Sequence, residues 1–263
     1  MKILAMTCCC VDVYPEKGVV AAGGNALNLA ANCTKMPKTE VHLMGNIGTD
    51  SYAEEIKKAV HKYDINHQHL YEVDGVSANH IIHIATDGDR YFTENSWTDG
   101  VYGDYRISPD DEIFMNSMDA IATTCYDPNF KKIIEISRNS DFILAVDFHD
   151  EKVNNEWEEL FDAIQLFFIS GRKEELPKLM EWSKKYKTVF VATLGKDGSV
   201  AYLDGLEYIC PAVQVDEVVD TTGCGDTYQA GFIASYCETG NIETAMKEGS
   251  RLAAITLSHM GGF

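Results

Sequence analysis

The sequence is poor in the features that mark membrane proteins and nucleic-acid-binding proteins. No run approaches the ~18 consecutive apolar residues that a membrane-spanning helix needs, which excludes such a helix. Lysine and arginine are scarce, 22 of them against 41 aspartates and glutamates, so the net charge of -19 repels nucleic acid and anionic membrane surfaces. The sequence also has no internal repeat, and no GxGxxG segment follows its first apolar run, which argues against a dinucleotide-dependent oxidoreductase.

The eight cysteines lack the spacing of a disulfide framework or of a zinc site. Cys8, Cys9 and Cys10 are consecutive, the others are scattered singly, and no CxxC pair or nearby histidine completes a metal site. We therefore predict reduced thiols and a cytoplasmic location. The apolar opening, residues 1–14, is too short for a signal sequence, and Asp12 closes it without a cleavage pattern, so we interpret it as the first strand.

The length and the patterning predict an α/β protein. With 263 residues, 45% of them hydrophobic, the chain can bury a large core as one domain over residues 1–263. Apolar runs alternate with segments of helical periodicity, which predicts a mostly parallel central sheet with helices on both faces. The predicted strands include residues 3–9, 41–45, 120–125, 142–148, 164–170 and 188–195, and the predicted helices include residues 25–36 and 51–63.

Two regions, residues about 12–21 and 75–105, lack helical periodicity and interrupt this alternation. The second contains two strand-like runs, 77–85 and 90–95, joined by turn-forming residues at 87–90. We predict that both regions form a small β-sheet lid over the carboxyl ends of the strands, where α/β proteins bind ligands.

The most informative segment, residues 218–232, reads VVDTTGCGDTYQAGF and places a glycine-rich loop before a predicted helix. Helical spacing from Asp226 onward predicts that Gly223, Cys224 and Gly225 form the loop at the helix N-terminus. Unpaired N–H groups make such a loop an anion site, and glycines let a phosphate approach the backbone. A carboxylate there suits a general base that takes a proton from an attacking hydroxyl. The alternative is that Asp226 simply caps the helix.

Two segments of the chain resemble the signatures of the PfkB (ribokinase-like) carbohydrate kinases. Residues 220–228, DTTGCGDTY, resemble the C-terminal signature, commonly DTxGAGDxF. About 200 residues earlier, residues 21–30, AAGGNALNLA, resemble the N-terminal GGNxxN turn into a helix. The resemblance spans essentially the entire chain and implies a ribokinase-like fold. It further implies an ATP-dependent kinase that phosphorylates a primary hydroxyl of a small carbohydrate, with Asp226 as the base.

The resemblance assigns sugar-binding roles to residues of the N-terminal part. Two glycines would let a sugar lie against the backbone, and the Asn28 amide would donate to and accept from vicinal hydroxyls. A helix start capped by Asn25 is the alternative interpretation. Two acids also match family positions beside the sugar: Asp12, at the end of the first predicted strand, and Asp50, the last residue of a GNIGTD turn. The predicted substrate-binding residues are therefore Asp12, Gly23, Gly24, Asn25, Asn28 and Asp50.

The nucleotide side is predicted further along the chain. Residues 193–199, TLGKDGS, match the family's TLGxxG turn, in which the Thr193 hydroxyl and the backbone of Gly195 and Gly198 would approach ATP. A plain β-hairpin is the alternative interpretation. Ala254, in the last predicted helix, is a candidate wall for the adenine.

The resemblance also implies Mg2+ on the phosphates and leaves K+ activation open. The family's monovalent-cation loop would lie around Asp220 and Thr222. Two segments depart from the family pattern: the usual DPNxR reads DFHDEK at residues 147–152, and the usual NxxE is represented by SGRKEE at residues 170–175. Glu174, one residue out of register, is the candidate magnesium contact through water.

The short length, the segment DVYPEKGVVAAGGNALNLA at residues 12–30, the DF segment and the ending SHMGGF are most similar to a branch of the family that phosphorylates the 6-hydroxyl of fructosamines such as fructoselysine. An acidic lid, with Glu94 or Asp99, would tolerate the cationic amine of such an acceptor. A kinase for another sugar or a nucleoside, and a non-catalytic sugar- or nucleotide-binding regulator of this fold, remain alternatives. The exposed strand edge of a lid predicts a homodimer through it, with no nucleic-acid or membrane partner.

Overall fold

The described part of the chain, residues 1–84 and 90–263 of a computed structural model, forms two β-sheets and seven α-helices. Residues 87–89 of the predicted turn lie outside it. The strands are β1 (Lys2–Met6), β2 (Cys10–Tyr14), β3 (Val19–Gly23), β4 (Glu40–Ile47), β5 (Asn66–Glu72), β6 (Asn79–Ile84), β7 (Arg90–Phe92), β8 (Ala120–Thr124), β9 (Ile143–Asp147), β10 (Leu166–Ser170), β11 (Val189–Thr193), β12 (Ser199–Leu203) and β13 (Leu206–Cys210). The helices are α1 (Asn25–Cys33), α2 (Ser51–Lys62), α3 (Pro109–Met115), α4 (Phe130–Ser137), α5 (Leu176–Ser183), α6 (Cys224–Thr239) and α7 (Ile242–Thr256).

The large sheet is mostly parallel, as predicted. Its nine strands within the described residues follow the order β13-β12-β11-β10-β9-β8-β1-β4-β5. The strands from β5 to β11 in this order run parallel, and β12 and β13 add an antiparallel hairpin at one edge. Central strands such as β8 are buried on both faces, which explains why they read as unbroken apolar runs in the sequence.

Helices cover the large sheet on both faces, which confirms the predicted fold class. On one face α1, α2, α6 and α7 contribute to a core that includes Leu27 and Phe232, and on the other α4 and α5 contribute to a core that includes Trp182 of α5. Helices α6 and α7 pack so closely that a Cβ on Gly231 would lie only 2.8 Å from the Glu248 carbonyl oxygen. Among the described residues, no helix combines the length and the apolar character needed to cross a membrane.

The small sheet, in the order β3-β2-β6-β7, is built from the two regions that interrupt the alternation. β2 pairs antiparallel with β3 and parallel with β6, and β6 pairs antiparallel with β7. The interpretation of residues 1–14 as one strand is wrong, because β1 ends at Met6 in the large sheet and β2 begins at Cys10 in the small one. Both strands are buried and apolar, so the hydrophobic pattern carries no sign of the break. Asp12 therefore belongs to the small sheet.

Candidate active site

The glycine-rich loop leads into α6, which begins at Cys224, two residues before the predicted start. Gly223 is the N-cap residue, in the left-handed region with φ 73°, and no side chain caps the helix. A Cβ on Gly223 would lie 2.5 Å from the Gly262 Cα atom, so this position requires glycine for space as well as for conformation. The alternative in which Asp226 caps the helix is wrong, since Asp226 is the third residue of the first turn.

The first turn of α6 has features that suit an anion. The first amides of a helix have no intrahelical acceptor; here the Cys224 amide donates to the Thr221 carbonyl oxygen at 3.3 Å, and no side chain caps the helix. A Cβ built on Gly225 would meet nothing within 4 Å, so there is room beside the backbone at this point. The N–H groups of a helix start, the free space at Gly225 and the positive end of the helix dipole together suit a phosphate.

Asp226 is buried and held by two asparagines of α1. Asn25 Nδ2 donates to Asp226 Oδ1 at 2.8 Å, and Asn28 Nδ2 donates to Asp226 Oδ2 at 2.8 Å. Asn25 is the first residue of α1 and Gly24 its N-cap, so the interpretation of Asn25 as a cap is wrong. Residues three apart lie on the same helix face, which is how both amides reach one carboxylate. The two hydrogen bonds fix the position of both carboxylate oxygens.

A second layer of hydrogen bonds ties α1 to α6 beneath this carboxylate. Asn32 Nδ2 donates to Thr227 Oγ1 at 2.9 Å and to the Gly262 carbonyl oxygen at 2.8 Å. Thr256 Oγ1 of α7 donates to the same Thr227 oxygen at 3.1 Å. All of these groups are buried. The sequence reasoning missed Asn32, although it lies on the same helix face as Asn25 and Asn28.

The tight turn before α1 brings the small sheet against this site. Gly24 has φ 91°, and a Cβ there would lie 2.5 Å from the Cys8 carbonyl oxygen. A Cβ on Gly23 would lie 2.3 Å from Asp12 Oδ2, so the Asp12 carboxylate rests directly against this glycine. The two glycines thus let strand β2 of the small sheet approach α1.

A cavity of about 510 Å³ lies between the small sheet and the carboxyl ends of the large sheet. It brings together seven residues that the sequence predicts for the site or for the cation loop. The sequence reasoning missed the aromatic and imidazole groups among its other lining residues, because they come from separate strands, turns and loops with no shared motif. The predicted lining residues are Asp12, Gly24, Asn25, Asn28, Thr222, Gly223 and Asp226; the additional ones include His80, Trp97, Tyr102, Tyr126 and His149.

Asp50 does not line the cavity and instead has a structural role. It is the N-cap of α2, and its Oδ1 accepts from the Ala53 amide at 3.0 Å. It also accepts from the Ser77 amide at 3.0 Å and from the Ser77 hydroxyl at 2.8 Å. Burial opposes ionisation, but these hydrogen bonds from Ala53 and Ser77 outweigh it and lower the pKa of the Asp50 carboxyl. Asp50 thus connects α2 to the chain that enters the lid.

The predicted nucleotide residues lie at one edge of the large sheet. Thr193 ends β11, and Gly195 opens a short 3₁₀ turn that leads through Gly198 into the antiparallel strand β12. Gly198 has φ 88°, and a Cβ there would lie 2.1 Å from the Cys210 carbonyl oxygen. Ala254 lies half-buried on α7. The hairpin is therefore real, and none of these four residues lines the 510 Å³ cavity.

The candidate cation residues fall into two places. Asp220 is fully buried, and its carboxylate accepts from the amides of Thr222 at 2.8 Å and Gly261 at 2.9 Å. Thr222 Oγ1 is buried without a hydrogen-bond partner among the described residues. Glu174, in contrast, lies in a 3₁₀ turn and lines a separate groove together with Lys152 and Arg172. In the described part of the chain no three His, Cys, Asp or Glu residues are grouped so that they could hold a metal ion.

Comparison with known proteins identifies the family. The model of the pfkB family of carbohydrate kinases matches residues 10–262. The chain belongs to the pfkB family. It is 26% identical over 260 residues to a fructoselysine 6-kinase of Escherichia coli (strain K12), an alignment that covers 97% of this chain and 96% of that enzyme.

Solved structures of kinases share the fold of this pfkB family member. An adenosine kinase from Sinorhizobium meliloti superimposes with a TM-score of 0.84 at 20% identity, over 99% of this chain and 95% of that one. An Arabidopsis thaliana ribokinase complexed with ribose and ATP gives 0.82 at 18% identity, over 98% of this chain and 93% of that one. The ribokinase-like fold is thereby confirmed. Family membership also makes the chain a carbohydrate kinase, a phosphotransferase that acts on a hydroxyl group.

Proposed function

We propose that this pfkB family member transfers the γ-phosphoryl group of ATP to the 6-hydroxyl of a fructosamine such as fructoselysine. The observation that carries the proposal is the position of Asp226. Its buried carboxylate lies in the uncapped first turn of α6 and also lines the 510 Å³ cavity. A carboxylate between an anion site and an acceptor cavity can take the acceptor proton while the phosphoryl group is held in line.

In the proposed reaction Asp226 accepts the proton of the acceptor hydroxyl as the hydroxyl oxygen attacks the γ-phosphorus. The bond between that phosphorus and the bridging oxygen breaks, and ADP leaves with its electron pair. Asn25 and Asn28 hold the two carboxylate oxygens in place through their amide donors. The backbone amides at the start of α6, from Gly223 to Asp226 with Cys224 and Gly225 included, would stabilise negative charge on the transferring group.

The remainder of ATP would be held by the hairpin after β11 and by α7. Thr193, Gly195, Gly198 and Ala254 are the residues we propose for it, on the strength of the family motif. Because the described residues form no cage of three or more metal-binding side chains, Mg2+ would enter with the phosphates, and a water-mediated contact to Glu174 is the remaining protein contribution.

A monovalent cation such as K+ at the loop of Asp220 and Thr222 is a further part of the proposal. The buried Thr222 hydroxyl, which has no hydrogen-bond partner among the described residues, supports it. The carboxylate of Asp220 already accepts hydrogen bonds from two backbone amides, so fewer of its lone pairs are left to coordinate a cation.

On the acceptor side, we propose that Asp12, Asn25 and Asn28 bond the sugar hydroxyls across the backbone of Gly24. All four line the cavity with Asp226. Gly23 would act by leaving room for the Asp12 carboxylate, and Asp50 by anchoring the base of the lid. The likeness to the Escherichia coli fructoselysine 6-kinase over nearly the whole chain supports a fructosamine as the acceptor.

We further propose that the two sheets act as one kinase domain over residues 1–263, in a cytoplasmic protein that dimerises through the lid. Eight free cysteines support a reducing compartment. For the dimer, β3 is an edge strand of the small sheet, with Val19 37% and Val20 42% exposed. An exposed apolar edge of this kind is commonly protected by pairing.

An acceptor screen tests the function. Purified protein with ATP, Mg2+ and K+ is assayed for ADP release against fructoselysine, fructose, ribose and adenosine, with Asp226→Asn as the blank. We expect the highest kcat/KM for fructoselysine. A clear preference for a free sugar or a nucleoside would refute a fructosamine as the acceptor, while the kinase activity would stand. Failure of every acceptor would favour a non-catalytic binding protein.

A further inference from the structure

The mouth of the cavity carries two aromatic side chains, each hydrogen-bonded to a carboxylate. On the lid, Trp97 Nε1 donates to Asp99 Oδ1, and across the cavity the Tyr126 hydroxyl donates to Glu151 Oε1. Trp97, Asp99 and Tyr126 all line the cavity that contains Asp226. The proposed phosphoryl transfer uses neither pair, so their presence at its entrance calls for another role.

The lid pair is held in a defined position by the backbone. Thr98 exchanges two hydrogen bonds of 3.0 Å with Asn79 of β6. Trp97 and Asp99 flank Thr98, and the hydrogen bond between their side chains places them on the same side of the chain. Gly100 follows with φ 54°, and a Cβ there would lie 2.1 Å from a backbone carbonyl oxygen. The turn after Asp99 is therefore tight, and the pair is positioned before any ligand binds.

The opposite pair comes from the loops after β8 and β9. Tyr126 follows the end of β8, and its ring centroid lies 5.2 Å from that of His149, which follows β9. Burial and the hydrogen bond to Glu151 raise the pKa of the Tyr126 hydroxyl above its usual range, so the ring stays neutral. Tyr126 is 59% exposed and Trp97 39% exposed, although both are large rings that proteins usually cover.

We infer that these two pairs form a subsite for an alkylammonium group carried by the acceptor sugar. Aromatic faces cover methylene groups and attract a cation, and the neighbouring carboxylates supply the opposite charge. A neutral sugar would leave this subsite without a partner. The inference rests on the proposed function, and it assigns amine recognition to Asp99 with Trp97 rather than to Glu94, which is exposed and does not line the cavity.

The first test compares kcat/KM for fructoselysine with that for fructose in wild type and in Asp99→Asn. The substitution removes the charge and keeps an oxygen for Trp97 Nε1. We expect the fructoselysine-to-fructose ratio to fall about 10- to 100-fold, mainly through KM, which is the range for a hydrogen bond to a charged group. The matched control is Glu94→Gln on the same lid, for which we expect an unchanged ratio.

The second test measures binding without turnover. Fructoselysine, added without ATP, should change the tryptophan fluorescence of the wild type, and Trp97→Phe should lose most of that change while Trp157 and Trp182 remain. An enzyme that phosphorylates fructoselysine but keeps its substrate ratio in Asp99→Asn would overturn the subsite and leave the proposed function intact. An enzyme that phosphorylates fructose and neither binds nor uses fructoselysine would overturn both. Equal losses for both sugars would make Asp99 a structural residue of the lid.

Discussion

Replacing Asp226 by asparagine isolates its charge, because the side chain keeps its size and shape. Asp226 is 8% exposed, and each of its oxygens accepts one amide at 2.8 Å from Asn25 or Asn28. The new amide would place a donor opposite one of these donors. Asn28 Oδ1 is buried and has no hydrogen-bond partner in the described part of the chain, so a flip of the Asn28 amide would present an acceptor to the new donor. We therefore expect Asp226→Asn to fold.

The expected loss of turnover is that of general-base catalysis, roughly 100- to 10,000-fold. Each factor of ten corresponds to about 1.36 kcal/mol, so the barrier should rise by about 2.7 to 5.4 kcal/mol. ATP affinity should change by no more than about threefold, because the amides of the first turn of α6 and the open space at Gly225 are unaltered. The variant thus separates proton transfer from nucleotide binding.

Single-turnover ADP release and ATP titration calorimetry measure these two effects on the same preparation. Asp204→Asn is the matched control, since Asp204 is exposed in the turn between β12 and β13, has φ 51° and tolerates asparagine. It should leave both quantities unchanged. Turnover of Asp226→Asn within a few-fold of wild type would refute the base assignment. Loss of ATP binding together with a lower melting temperature would instead give Asp226 a structural role.

Four further predictions concern the loop, the lid and acid stability. Gly225→Val should abolish ATP binding, because the valine side chain would fill the space proposed for the phosphates. The melting temperature should change little, because a Cβ at this position meets no protein atom within 4 Å. Unchanged ATP affinity by calorimetry would place the phosphates elsewhere. Asp50→Ala should lower the free energy of unfolding by about 1 kcal/mol or more in urea titrations through loss of the α2 cap, and an unaltered midpoint would contradict this. Val20→Lys should convert a dimer to a monomer in light scattering, and a monomeric wild type at micromolar concentration would count against the dimer. Burial opposes ionisation of Asp111, but hydrogen bonds led by that from Tyr71 lower the pKa of its carboxyl to about 2. The charged carboxylate therefore stabilises the fold above pH ~4, and this stabilisation is lost as the pH falls toward about 2. Asp111→Asn should lose less folding free energy than wild type over that interval, and parallel pH profiles of stability would refute this.

The sequence predicted best what depends on neighbouring residues. The alternation of apolar runs and helical segments gave the mostly parallel sheet, because strands buried on both faces must be continuously apolar. The run DTTGCGDTY gave the loop and helix around Asp226, although the helix begins two residues earlier. The single-strand interpretation of residues 1–14 failed because β1 and β2 are equally apolar and buried, and their separation depends on which sheet each strand joins.

The sequence by itself determined the family, the glycines that the turns at Gly24 and Gly223 require, and the presence of an acid where a glycine-rich loop enters a helix. These features lie within short motifs whose backbone conformation is local. Only the tertiary structure decided that Asn25 and Asn28 hold Asp226, across 201 and 198 residues of chain, and that Trp97 and Tyr126 face the same cavity. Such contacts depend on how α1 packs against α6 and where the lid lies over the strand ends. A local sequence pattern does not predict this packing, because it depends on how side chains from the whole core fit together.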